Sequence, residues 1–254
     1  MVLLLQNAMM PSETQILPAR EKSVQNLIFL LLCGGFIVNG IVITFIGPMI
    51  PVLKAKWLLN DSQAGLFSLV QFSASLTGVF FSSALISAKG FKPAITLGLA
   101  MLGIGFVLLN APTFPLALVA SGIYGLGYGL ATPGTNLWVG ESYGDRRATA
   151  LNVMNLAWGV GAISSSPLAM LTVRTAQVPL LLYVVGAICV LLALALLRMR
   201  FGKPPHEEES SSQGPTAKAA GLGVAIMLGI LFFVYVGTEN GISYWAADHA
   251  RRAA

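Results

Sequence analysis

At 254 residues, 56% hydrophobic and only 10% charged, with a mean hydropathy of +0.77, the chain has too few polar side chains to clothe a water-facing surface. A soluble domain is therefore excluded. Fifteen basic against ten acidic residues leave a net charge of +5, but the bases are scattered through breaks between apolar runs. With no aromatic-interleaved basic face, nucleic acid is excluded as a partner.

Residues 1–26 read as a tail. A short apolar run at 2–5 gives way to Pro11, Glu13, Arg20 and Glu21, unlike a cleaved secretory signal, and Met9 or Met10 serves as well as Met1 for a start. Seven long apolar runs follow, at 27–52, 64–88, 93–110, 115–139, 148–173, 178–197 and 219–247. A helix of about 20 apolar residues crosses a hydrocarbon core of about 30 Å. The pattern predicts an all-α polytopic membrane protein with seven spans and the lipid bilayer as its solvent.

Basic loops are retained on the cytoplasmic side. With the N-terminus inside, ten of the fifteen bases are cytoplasmic, namely Arg20, Lys22, Lys89, Lys92, Arg146, Arg147, Arg198, Arg200, Lys203 and Lys218. Lys54, Lys56, Arg174, Arg251 and Arg252 lie outside. The expectation is a multi-pass protein of a cell membrane, bacterial inner membrane in type, with a cytoplasmic N-terminus.

Four segments result: a cytoplasmic tail at 1–26, a six-helix bundle at 27–200, a polar cytoplasmic linker at 201–218, and a seventh helix with a short tail at 219–254. The linker holds Pro204, Pro205, Glu207, Glu208, Glu209 and three serines, too few apolar groups to order itself. Asn39-Gly40-Ile41 in the first span recurs as Asn240-Gly241-Ile242 in the seventh, as duplication of a six-helix unit would produce.

The fourth span carries Gly125, Gly127 and Gly129. No strand precedes them, so a nucleotide loop is excluded, and small residues at this density let helices pack closely or bend. Gly47 and Pro48 do the same in the first span. Cys33 and Cys189 are lone thiols inside apolar runs, and His206 and His249 are the only histidines, which leaves no metal site, catalytic triad or cofactor to expect.

Glu239 is a carboxylate within a span, costly there unless it faces a cavity or a partner. It either faces a cavity, where coupling to a proton is a role for it, or sits among the outer headgroups beside Asp248, His249 and Arg251. Asn39, Gln71, Asn136, Asn155 and Asn240 each offer a donor and an acceptor, which suits an uncharged polyol. Trp158 and Trp245 could stack on the apolar face of a sugar ring. The alternative is that the amides bond between helices and the tryptophans lie in an interfacial belt.

Gly47, Pro48 and Pro51 close the first span, and the ladder Gly125, Gly127, Gly129 is followed by Asn136 and Glu141. Arg146-Arg147-Ala148-Thr149-Ala150-Leu151-Asn152 enters the fifth span, where Gly159, Gly161 and Pro167 follow, and Tyr235-Val236-Gly237-Thr238-Glu239-Asn240-Gly241 leads to Trp245 in the seventh. In order and spacing this resembles the major facilitator superfamily, and within it the fucose–galactose–glucose:proton symporter branch. Two positions depart. In the loop signature between spans two and three, Ser87 and Ala88 replace the acidic and first basic residues, and Ser121 stands where many proton-coupled members carry arginine.

The resemblance implies no enzyme but a transporter of small solutes, sugar-like and possible with proton coupling, working by alternating access. It also implies that seven spans supply one half and a single helix of the other, as in a truncated and inactive form. The alternative is a non-transporting membrane module or split-transporter subunit, completed by a homo-oligomer or a complementary five-helix segment.

Overall fold

The computed structural model describes residues 19–201 and 215–253. Residues 1–18 of the N-terminal tail and 202–214 of the linker expected at 201–218 lie outside the described residues, and the last four linker positions, 215–218, are helical at the start of α8. Eight α-helices are present: α1 (Ala19–Thr44), α2 (Ile46–Trp57), α3 (Asp61–Lys89), α4 (Phe91–Leu108), α5 (Phe114–Ser142), α6 (Arg147–Arg174), α7 (Val178–Arg198) and α8 (Pro215–Ala253). No strand occurs among the described residues. Taking α1 and α2 as one span, seven helices are long and apolar enough to cross a membrane.

Each helix end has a local cause. At α3 the Asn60 side chain accepts from the Gln63 N–H (2.8 Å) and the Gln63 side chain accepts from the Asn60 N–H (3.0 Å), a reciprocal cap on two otherwise unpaired donors. Helices α3 and α4 are joined through Gly90 alone, whose φ of +79° is strained for a residue with a Cβ. Prolines in the first turns of α5 and α7 occupy positions where a missing N–H is harmless.

The first span is not one helix. Pro48 carries no N–H for the Thr44 carbonyl, and the ladder breaks at Phe45, which nonetheless keeps helical dihedrals (φ −64°, ψ −36°). The result is a kink.

Helix α5 lies between α3 and α4, α1 packs on α6, and α4 on α7. These approaches run through glycine. A Cβ on Gly125 or Gly129 would strike the Gln71 or Ser75 backbone of α3. One on Gly127 would meet Gly98 and Leu102 of α4, and Gly40 and Gly161 press α1 onto α6. Such contacts replace the missing hydrophobic drive between helices in lipid with close van der Waals packing.

The buried core forms two clusters. One, around Ile50, Phe67, Phe106 and Tyr124, lies toward the end where α2 finishes. The other, around Ile28, Ile95, Met154 and Leu196, lies toward the opposite end. Leu30, Phe80 and Ile163 stand exposed, as lipid-facing side chains do. Helix α8 meets the rest chiefly through α2, and Met227, Ile230, Phe233 and Tyr235 leave most of its earlier turns uncovered.

Candidate binding site and ionic closure

The kink between α1 and α2 exposes backbone polarity inside an apolar bundle, and Gln71 of α3 answers it. Its Nε2 donates to the Ile43 carbonyl (3.3 Å) while its Oε1 accepts from the hydroxyls of Tyr124 on α5 (2.7 Å) and Tyr244 on α8 (2.8 Å). Gln71 and Tyr124 are fully buried and Tyr244 nearly so. Two donors fill the two lone pairs of Oε1. Four elements are thus tied at one amide, and α8 is held there also by Gly47, where an added Cβ would lie 3.0 Å from the Ser243 carbonyl.

A second polar position lies between α1 and α5. Asn39, 2% exposed, donates from Nδ2 to Thr132 Oγ1 (3.1 Å). Its Oδ1 is buried without a hydrogen-bond partner, as is the indole Nε1 of Trp158 on α6, the helix that α1 touches through Gly40. An unpaired acceptor and an unpaired donor therefore sit on two helices in direct contact, against the general rule that buried polar groups are satisfied. Thr132, Asn136 and Tyr128 follow one another at four-residue spacing along α5, all half-buried.

Between α3 and α8 lies a cavity of about 610 Å³ whose lining includes Ser68, Phe72, Phe233, Asn240, Tyr244 and Trp245. Its wall is mostly apolar, with no charged side chain. Asn240 donates to the Val236 carbonyl of its own helix (2.8 Å). Tyr244 both lines this space and bonds to Gln71, so it separates the cavity from the buried amide.

Beyond the cavity, at the end where α2 finishes, charges close the gap. Lys54 of α2 pairs with Asp61 of α3 (2.6 Å) and with Asp248 of α8 (3.1 Å), and Arg252 of α8 also pairs with both carboxylates. Two cations and two anions form a neutral cluster over three helices. The Asp248 side chain is 6% exposed and that of Lys54 18%, while Asp61 at 55% and Arg252 at 52% lie open to solvent, so the cluster is buried on its inner side only and solvent screens its outer pairs.

The structure thus gathers Gln71, Asn240 and Trp245 near α8, and Asn39 with Trp158 near α1 and α6. It does not join the two groups by any direct bond. Asn155 and Glu239 are exposed, and Asn136 is half-buried. Gly241 has open space around it whereas Gly40 is pressed against α6, so the echoed tripeptides occupy unlike settings. Sequence reasoning missed Tyr124, Tyr244, Thr132 and the whole ionic cluster. Only the spacing of Asp248 and Arg252, four apart on one helix, carried a readable signal.

Seven membrane-length helices, with a buried amide and an ionic cluster fastening the seventh to the others, define a multi-pass helical membrane protein. The sequence model described as Major Facilitator Superfamily matches residues 32–249. The chain belongs to that superfamily. Comparison with curated proteins gives no significant match.

Among solved structures, the chain is similar to a bacterial homologue of the human lysosomal transporter Spinster, captured inward-facing and unoccupied. The TM-score is 0.65 at 19% identity, covering 89% of this chain and 55% of that one. The E. coli fucose:proton symporter matches with a TM-score of 0.57 at 18% identity, covering 77% and 55% respectively. A POT family transporter in complex with a thioalcohol-conjugated peptide matches with a TM-score of 0.57 at 18% identity, covering 87% and 47%. The chain spans about half the length of these proteins.

Proposed function

We propose that the protein takes part in moving a small, uncharged, hydroxyl-bearing solute across a cell membrane by alternating access, in a state closed at the Lys54 end. The observation that carries this reading is that Asn39 Oδ1 on α1 and Trp158 Nε1 on α6 are buried without partners, as are Trp138 Nε1 and the Tyr143 hydroxyl elsewhere in the bundle. A hydroxyl can both donate to an acceptor such as the first and accept from a donor such as the second, which a carboxylate or an ammonium group cannot do. Asn136 and Asn155 extend that polar position, while Gln71, Asn240 and Trp245 extend it toward α8. With the N-terminus inside, the ionic cluster closes the outer face.

A sugar is the substrate class that fits amides and indoles together, and the likeness to the fucose symporter supports it at the level of fold. Glu239 is the residue we assign to proton coupling. Its exposed position on α8 serves that role once further helices cover it.

The uncovered turns of α8 favour a second reading, in which the chain works only with a partner supplying more helices, a second copy or a complementary five-helix segment.

Uptake of labelled fucose, galactose and glucose in a transport-deficient cell separates these. Uptake that falls at least about fivefold in Asn39→Leu, at equal membrane insertion, supports the first, since one lost hydrogen bond in a dry site costs roughly 1 to 3 kcal/mol. Glu239→Gln should abolish only accumulation against a gradient. No uptake from a well-inserted chain, restored by a co-expressed five-span segment, establishes the second.

A further inference from the structure

We propose that the Tyr244 hydroxyl is an internal competitor: it fills the acceptor site on Gln71 that takes a ligand hydroxyl when α8 withdraws. The inference rests on the proposed function for the nature of the ligand, but the occupied acceptor itself is a matter of geometry.

Gln71 Oε1 accepts two phenolic hydroxyls, at 2.7 and 2.8 Å. The two are not equivalent. Tyr124 belongs to α5, which glycine contacts lock against α3 at Gln71 itself. Tyr244 belongs to α8, which touches the remainder through α2, the ionic cluster and a few side chains of α3 around Gln71 and Phe72. Any movement of α8 carries Tyr244 away and leaves Tyr124 in place.

One lone pair of Oε1 would then face the cavity along α3, the space that Tyr244 now bounds. An unpaired acceptor in such a place is costly, so it selects a neutral donor that fits beside Phe72 and Trp245. A ligand hydroxyl satisfies it with the same O–H···O bond that Tyr244 makes. Docking of α8 and occupation of Gln71 by ligand are therefore mutually exclusive, and each opposes the other by linkage.

The test uses the full chain in lipid nanodiscs, with Cys33 and Cys189 replaced by serine and a reporter cysteine at Gly65. A Cβ there lies 3.9 Å from the Trp245 ring, so docked α8 shields the thiol from maleimide. In ligand-free protein, Tyr244→Phe is expected to raise the labelling rate several-fold and Gln71→Leu to do likewise. Tyr124→Phe is expected to leave it near wild type, because the bond to α8 survives.

Binding of labelled fucose, galactose and glucose is read alongside. Tyr244→Phe should tighten whichever binds by roughly 2- to 12-fold, the worth of one neutral hydrogen bond, and Tyr124→Phe should not, because Tyr244 still occupies the lone pair that faces the cavity. Labelling unchanged in Tyr244→Phe overturns the proposal, as does equal loosening in both tyrosine variants. A sugar that binds no more tightly to Tyr244→Phe overturns it too. If none of the three sugars binds any variant, the sugar reading fails, and the ligand-free labelling alone decides whether Tyr244 holds the switch.

Discussion

Gln71 is the side chain on which most depends, because its three hydrogen bonds lie where no water can replace them. Replacing it with leucine keeps the volume but leaves two buried phenols and the Ile43 carbonyl without their partner. Each such group costs roughly 1 to 3 kcal/mol in a soluble core, and interhelical bonds in membranes average nearer 0.6 kcal/mol because alternative partners are found. A loss of about 2 kcal/mol is expected, measured as a lower Tm in detergent, with Tyr244→Phe losing clearly less. An unchanged Tm would mean that the amide is not the tie it resembles. Nothing local to position 71 announced this role. Its partner Tyr244 lies 173 residues away; sequence reasoning offered Gln71 as a substrate contact or as a bond between helices, and the structure shows the second without its partners having been foreseen.

At the scale of helices, the glycines give the sharpest contrast. Gly129 of α5 lies against the Ser75 carbonyl of α3, whereas Gly140 of the same helix has nothing within 4 Å of an added Cβ. Gly129→Ala must push two backbones apart and should reduce folded, membrane-inserted protein severely. Gly140→Ala should be neutral or stabilising by up to about 1 kcal/mol, since alanine is the better helix former. Comparable Tm values for the two would refute the close α3–α5 contact. The ionic cluster allows a parallel trial between α2 and α8. Lys54→Asp alone sets three carboxylates together and should expose the Gly65→Cys reporter, and adding Asp248→Lys should restore most of the shielding. The spans themselves were legible because twenty-residue apolar runs have few other uses. The kink at Phe45 was not visible to hydropathy, which changes little across it, although Gly47 and Pro48 marked the neighbourhood. The ionic cluster escaped because its members sit in separate breaks, and charge in a break has solvent as its default partner.

For the whole molecule, the sidedness of the bundle decides what the closed state means. The Gly90 turn, the α5–α6 join and the end of α7 share one face, with Lys89, Lys92, Arg146, Arg147, Arg198 and Arg200; the opposite face holds Lys54, Lys56, Arg174, Arg251 and Arg252. Arg20 and Lys22 in the first turn of α1 and Lys218 in the first turn of α8 bring the first face to nine described bases against five. Lys203 joins the same face by chain order, so the bias follows the majority of the bases. Positive charge near the ends of spans sets orientation whether or not acids pair with it, so the cluster around Lys54 does not alter the count. The expectation is that Asp145→Cys, at an exposed site between α5 and α6, reacts with an impermeant maleimide only after cells are permeabilised. Ser62→Cys and Thr175→Cys, exposed on the opposite face, should react in intact cells. That result places Lys54, Asp61, Asp248 and Arg252 on the outside, so that the structure is closed outward, and under the function proposed above a solute at Asn39 and Trp158 would leave toward the cytoplasm. The reverse labelling would turn the same cluster into a cytoplasmic lock, and the polar residues along α1, α5 and α6 would then open to the exterior.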